Sequence, residues 1–139
     1  MSDTASKSRP EYRNVSVPQL LVYLNRMPLA GKTSILHRVS GALLFLCLPL
    51  VIVPLFGRSV ASPETYASLA QYTSHPLFKL VLLALIWGYL HHFCAGIRYL
   101  ALDLHMGNDK HTAQKSAGVV LVVSLALTVV LGLKLFGVW

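Results

Sequence analysis

The stretch that decides the fold is LVLLALIWGYLHHFCAGI, residues 80–97, bracketed by Lys79 and Arg98. It is uncharged, over close to the ~20 helical residues that the hydrocarbon core of a bilayer requires. Two more such runs lie on either side of it. Val39 to Gly57 carries no charge and follows the polar turn Ser34–Arg38. Ser116 to Leu133 is also uncharged, and Lys134 stands where it can snorkel to the interface beside Trp139. The expectation is an all-α membrane protein with three transmembrane helices, over 33–57, 78–104 and 113–139.

Composition agrees. Of 139 residues, 55% are hydrophobic and only 12% charged, with a mean hydropathy of +0.60. A soluble domain carries about a quarter charged residues, so lipid is the main solvent here and a free-standing soluble enzyme is excluded. The length allows one domain. A net charge of +7 could suggest nucleic acid. The basic residues instead flank the apolar runs, where they read as topology signals, and no nucleic-acid partner is expected. Cys47 and Cys94 both fall inside apolar runs, so they read as packing residues rather than a disulfide.

The N-terminal segment 1–32 holds Lys7, Arg9, Arg13, Arg26 and Lys32, and Arg98, Lys110 and Lys115 surround the 105–112 loop. The 58–77 loop offers mainly Arg58 and Lys79. Positive-inside then places the N-terminus and the 105–112 loop in the cytoplasm and the 58–77 loop in the periplasm. The leader has acidic residues and few arginines, which suits a bacterial inner membrane better than a mitochondrial presequence. Val60-Ala61-Ser62 resembles a signal-peptidase site, but a long polar leader precedes it and two spans follow, so cleavage is not expected. Ser16 can cap a short interfacial helix with Pro18 in its first turn and Val17, Leu20, Leu21 and Leu24 on one face. Pro49 and Pro54 should disturb the first span.

Polar side chains inside spans are costly and mark function by default. Ser34, His37, Arg38 and Gly41 follow i, i+3, i+4, i+7 spacing on the opening turns of the first span. A hydroxyl, an imidazole and a guanidinium suit a carboxylate or a quinone carbonyl. Spacing equally allows Arg38 to snorkel and His37 to bond a neighbouring backbone. On the second span Gly88, His92 and Gly96 lie one turn apart, with Tyr99 and Asp103 continuing the stripe. Glycines flanking a histidine admit a flat group, and imidazole ligates haem iron. Helix packing with His92 bonded across the interface fits the same pattern. His92 is about 18 Å along the helix from its cytoplasmic end, and His37 some 10 Å shallower by helix rise. On that depth difference the two should not clamp one haem, and a second axial ligand is expected from another chain. His37 and Arg38 are then placed for haem propionates. His91 points about 100° away and reads as a packing or hydrogen-bonding residue. His75, His105 and His111 read as loop residues. No Cys-x-x-Cys-His, phosphate loop, Ser-His-Asp set or carboxylate pair is present.

At this point the residues resemble a known family. Ser34-Ile35-Leu36-His37-Arg38-Val39-Ser40-Gly41 is similar to the S-x-x-H-R-x-[ST]-G signature of the cytochrome b subunit of succinate dehydrogenase. His92-x-x-x-Gly96-Ile97-Arg98-Tyr99-x-x-x-Asp103 resembles its second signature, H-x-x-x-G-x-R-H-x-x-x-D, with Tyr99 where many members have histidine. The leader, with Arg9-Pro10, Ser16, Pro18 and Tyr23, is also similar, though its Ser-Val-Pro differs from the Ser-Pro-His common in relatives. The resemblance covers essentially the whole chain.

It implies one haem b, with His92 as an axial ligand and the other axial histidine from a sister anchor subunit that shares the helical bundle. Ser34 and Arg38 would line the ubiquinone pocket, and His37 and Arg38 would lie near the propionates. A flavoprotein subunit would oxidise succinate and an iron–sulfur subunit would pass the electrons on, while this chain supplies binding and orientation rather than catalysis. Two rivals remain at this stage: a haem-free anchor, and a small transporter. The transporter needs a polar stripe across the membrane, and beyond Ser116 the third span offers only Ser124 and Thr128.

Overall fold

A computed structural model describes residues 16–138. All the elements within that range are helical. Lys7, Arg9, Pro10 and Arg13 of the leader lie outside it, as does Trp139.

The first helix, α1 (Val17–Arg26), begins where the sequence expects it. Gln19 Oε1 accepts from the Ser16 N–H at 3.2 Å. Val17, Leu20 and Leu21 are exposed. Pro28 then opens α2 (Leu29–Cys47), whose start has no side-chain cap of its own. A helix start set among apolar neighbours leaves orphan N–H groups. One is satisfied from the third span, where Gln114 Oε1 accepts from the Ala30 N–H at 3.0 Å.

The first span does not end at Cys47. A π-helical turn, Leu48–Ile52, joins α2 to α3 (Val53–Ala61), and together they run from Leu29 to Ala61 as one membrane-length helix. Pro49 and Pro54 lack the N–H that would continue the i→i−4 ladder, so the ladder changes register between them. The connection that follows is itself mostly helical. Ser62 caps α4 (Pro63–Thr73) by accepting from the Thr65 N–H at 3.2 Å.

Two long helices complete the set: α5 (Pro76–Asp103) and α6 (Lys110–Leu135). Both, like the first, are long and apolar enough to cross a membrane. The three pack on one another, α5 against both α2 and α6, and α2 against α6. What they bury is the reverse of a soluble core. Apart from Val120, the buried residues are small or polar, among them Ala95, Ala117, Thr33, Ser40, Ser124 and Thr128, with His91 and Arg98. The large apolar side chains point outward, as at Phe45 and Leu50. In lipid nothing drives leucine inward, so close packing of small residues decides the interface. Ser124 and Thr128 satisfy their hydroxyls on their own helix, donating to the Leu121 and Ser124 carbonyls at 3.1 and 2.7 Å. Cys47 and Cys94 are unpaired.

Asp109 caps α6 by accepting from the His111 and Thr112 N–H groups. The Thr112 side chain and backbone hold its carboxyl below the usual range. A depressed carboxylate stabilises the fold above its unfolded pKa and loses that contribution as pH falls through the folded one. Thermal unfolding of wild type and Asp109→Ala should therefore differ at neutral pH, the variant melting lower, and the gap should close on acidification below the ordinary carboxylate range.

Candidate functional site

Two histidines from different spans meet face to face. His37, on the third turn of α2, and His92, in the middle of α5, have ring centroids 4.2 Å apart and planes 7° from parallel. The approach is possible because each ring lies against a glycine of the other helix. A Cβ on Gly41 would come within 2.7 Å of His92 Cε1, and one on Gly96 would stand 3.8 Å from His37 Nε2.

His92 Nδ1 lies 3.0 Å from the His37 carbonyl oxygen. A carbonyl can only accept, so Nδ1 is the donor, and in a neutral imidazole Nε2 is then the nitrogen with the lone pair. Ser40, buried, donates its hydroxyl to the same carbonyl at 3.0 Å and sits 3.4 Å from Nδ1. The result is an imidazole fixed in tautomer and orientation by backbone, with its other nitrogen available. Metal-ligating histidines are held in this way by the groups behind them.

The expected depth difference between His37 and His92 is not found, because the stacked rings put them at one level. The reason is that α2 begins deeper than the charged residues around it suggest. Leu29, its first residue, packs 3.6 Å from the Cβ position of Gly118, about 12 Å along α6 from its start. Depth therefore gives no ground against a shared metal. Stacking does, since face-to-face rings present π-surfaces rather than lone pairs to each other.

The four-residue stripe on α2 divides. His37 and Gly41 face α5, while Arg38 is exposed with no hydrogen-bond partner among the described residues, and Ser34 is half-buried. On α5 the stripe continues as far as Tyr99, whose ring tilts against His37 at a centroid distance of 5.0 Å. A Cβ on Gly88 would meet nothing within 4 Å, so that flank of α5 is open in this chain. His91 is fully buried and stacks on Trp87 at 5.4 Å, with neither ring nitrogen in a well-formed hydrogen bond. It is a packing residue beside the Thr33 backbone.

Sequence reasoning assigns no role to Ser40 or to the Gly41–His92 contact. The signal is present, since a serine one turn from His37 and a glycine beside it interrupt an apolar run. It is not readable without knowing which residue of α5 stands opposite. Among the described residues no cluster of three or more His, Cys, Asp or Glu side chains is placed to hold a bare metal ion. One oriented imidazole beside an open, glycine-lined flank fits a metal that brings a flat macrocycle of its own.

Residues 10–131 match the family described as succinate dehydrogenase/fumarate reductase transmembrane subunit. The succinate dehydrogenase cytochrome b556 subunit of Coxiella burnetii is 39% identical over 107 residues, covering 76% of this chain and 81% of that one. That of Paracoccus denitrificans is 32% identical over 112 residues, covering 81% and 84%. That of Rickettsia felis is 25% identical over 128 residues, covering 92% and 98%.

The two glycines predict different tolerances. Gly41→Ala brings a methyl to 2.7 Å from His92 Cε1, so the ring or the backbone must shift and the bond to the His37 carbonyl is strained, whereas Gly96→Ala adds a methyl at ordinary contact distance. Overpacking of this kind costs about 1–3 kcal/mol. Thermal unfolding in detergent should show Gly41→Ala clearly destabilised and Gly96→Ala close to wild type.

Proposed function

Because this chain belongs to the succinate dehydrogenase/fumarate reductase transmembrane subunit family, we propose that it is the haem b-binding membrane anchor of a succinate:quinone oxidoreductase, respiratory complex II. Its work is to anchor, bind and orient, and the catalysis belongs to its partners. In this reading a flavoprotein subunit oxidises succinate and an iron–sulfur subunit carries the electrons to the cytoplasmic face of a bacterial inner membrane. A second membrane anchor subunit completes the bundle, and ubiquinone takes the electrons, linking the tricarboxylic acid cycle to the respiratory chain. The N-terminus and the 105–112 loop lie on the cytoplasmic side, the side that carries most of the flanking basic residues.

The observation that carries the reading is the 3.0 Å contact between His92 Nδ1 and the His37 carbonyl. With Nδ1 bonded to the His37 carbonyl, Nε2 is the nitrogen that would hold the haem iron. Gly88, which nothing in this chain covers, leaves the close approach that a flat macrocycle needs, and the exposed Arg38 supplies a cation for its propionates. The sister subunit would supply a second ligand. Haem iron would serve as a one-electron store.

Ser34 and Arg38 form this chain's part of the ubiquinone pocket. They stand one turn apart near the start of α2. As the quinone carbonyl is reduced its oxygen gains charge. A hydroxyl donor and a fixed cation stabilise that charge more than they do the neutral ground state. Arginine suits the position because it stays charged when partly desolvated.

Two experiments test these assignments on the purified complex. His92→Leu should abolish or shift the sharp reduced bands of haem b while α5 remains inserted, and an unchanged spectrum would remove His92 from the ligand set. A complex with no b-type bands even as wild type would mark a haem-free anchor instead. Separately, Ser34→Ala and Arg38→Leu should lower ubiquinone reduction by about 10²–10³, the usual loss for one charge-stabilising donor. Succinate oxidation with a soluble artificial acceptor should persist. Wild-type quinone reduction in both variants would place the pocket elsewhere.

A further inference from the structure

Between α5 and the first half of α6 lies a groove of about 380 Å³ that the redox reading does not use. Its walls come from α5, the connection after it and α6, and no residue of α2 lines it. The polarity of the lining runs one way. Arg98, Thr112 and Ser116 stand toward the end nearest the connection, and Cys94, Val119 and Val123 make the deeper part apolar.

Arg98 is only 8% exposed. Its Nε donates to Ser116 Oγ at 2.9 Å, its Nη2 donates to the Ala113 carbonyl at 3.1 Å, and its guanidinium lies 5.2 Å from the centre of the Tyr99 ring. All three partners are neutral. No carboxylate among the described residues bonds to it. Asp109, near at hand in sequence, spends its carboxylate on the His111 and Thr112 N–H groups. Ala113 and Ser116 belong to the opening turns of α6, where the helix dipole is positive and where Lys110 and Lys115 add charge. A buried guanidinium whose bonded partners are all neutral, with no carboxylate on it from either Asp103 or Asp109, is suited to an anion.

We propose that this groove binds an anionic phospholipid, its phosphate on Arg98 with the Thr112 and Ser116 hydroxyls, and one acyl chain along the Cys94–Val123 wall. A free phosphate would satisfy the cation and leave the apolar part of the groove unfilled. A lipid satisfies both, in the order in which the membrane presents them. Basic pockets between spans at the membrane surface recognise anionic headgroups in this way.

The test is lipid retention by the purified complex, equilibrated in bilayer discs of equimolar phosphatidylglycerol and phosphatidylcholine and read by native mass spectrometry. Wild type should retain phosphatidylglycerol in preference. Arg98→Gln should reduce that preference about five-fold, the contribution of one cation at a membrane surface. Because that variant also removes two bonds between α5 and α6, Ala101→Phe serves as a second probe. It fills the groove, keeps Arg98, and should lower retention of both lipids. Equal retention of the two lipids by wild type would overturn the proposal. So would full displacement of phosphatidylglycerol by inorganic phosphate, which would mark an anion site alone. A photoreactive side chain in place of Ile97 should capture lipid, and capture of a protein chain instead would assign the groove to a partner subunit.

Discussion

Everything around the candidate site depends on one hydrogen bond made possible by one missing side chain. His92 can bond the His37 carbonyl only because Gly41 leaves room for its ring. The bond sets the tautomer, and the tautomer decides which nitrogen keeps its lone pair. It also ties α5 to the middle of α2, between two helices apolar enough to cross a membrane, where an intact hydrogen bond is hard to replace. Ser40 and the Gly96–His37 contact hold the same junction from either side.

The rest of the bundle obeys the constraint lipid imposes. Large apolar side chains gain nothing by turning inward, so the interior goes to residues that are small or that can satisfy a polar group locally. Ser124 and Thr128 bond to their own helix, and Gln114 reaches across to the free N–H of Ala30. Arg98 follows the same rule in part. It satisfies some of its donors on α6, and no carboxylate among the described residues is bonded to it. The outward apolar surface that remains suits a chain whose surroundings are lipid and other membrane subunits.

The functional proposal turns on His92. Family membership is a statement about the whole chain. The contribution of the geometry is to make one histidine of six different from the others. His91, its neighbour in sequence, is fully buried in the bundle with no open flank beside it, while His92 is half-buried against glycine.

The three spans, their helical state and their polar interruptions were legible in the sequence, because an uncharged run of bilayer length has few alternatives. The stripe Gly88–His92–Gly96 and the turn Ser34–Gly41 were legible too, since i, i+4 spacing is a property of one helix and needs no partner. What the sequence could not carry is the relation between helices. How far along α6 the first residue of α2 sits depends on packing at Leu29 and Gly118, and that offset places His37 level with His92 rather than nearer the surface. For the same reason neither the Gly41 contact nor the exposure of Arg38 could be read in advance. Periodicity fixes which residues share a face. Only the packed bundle decides which face meets which, and at what height, because that choice is made by side chains distant in sequence filling one another's gaps.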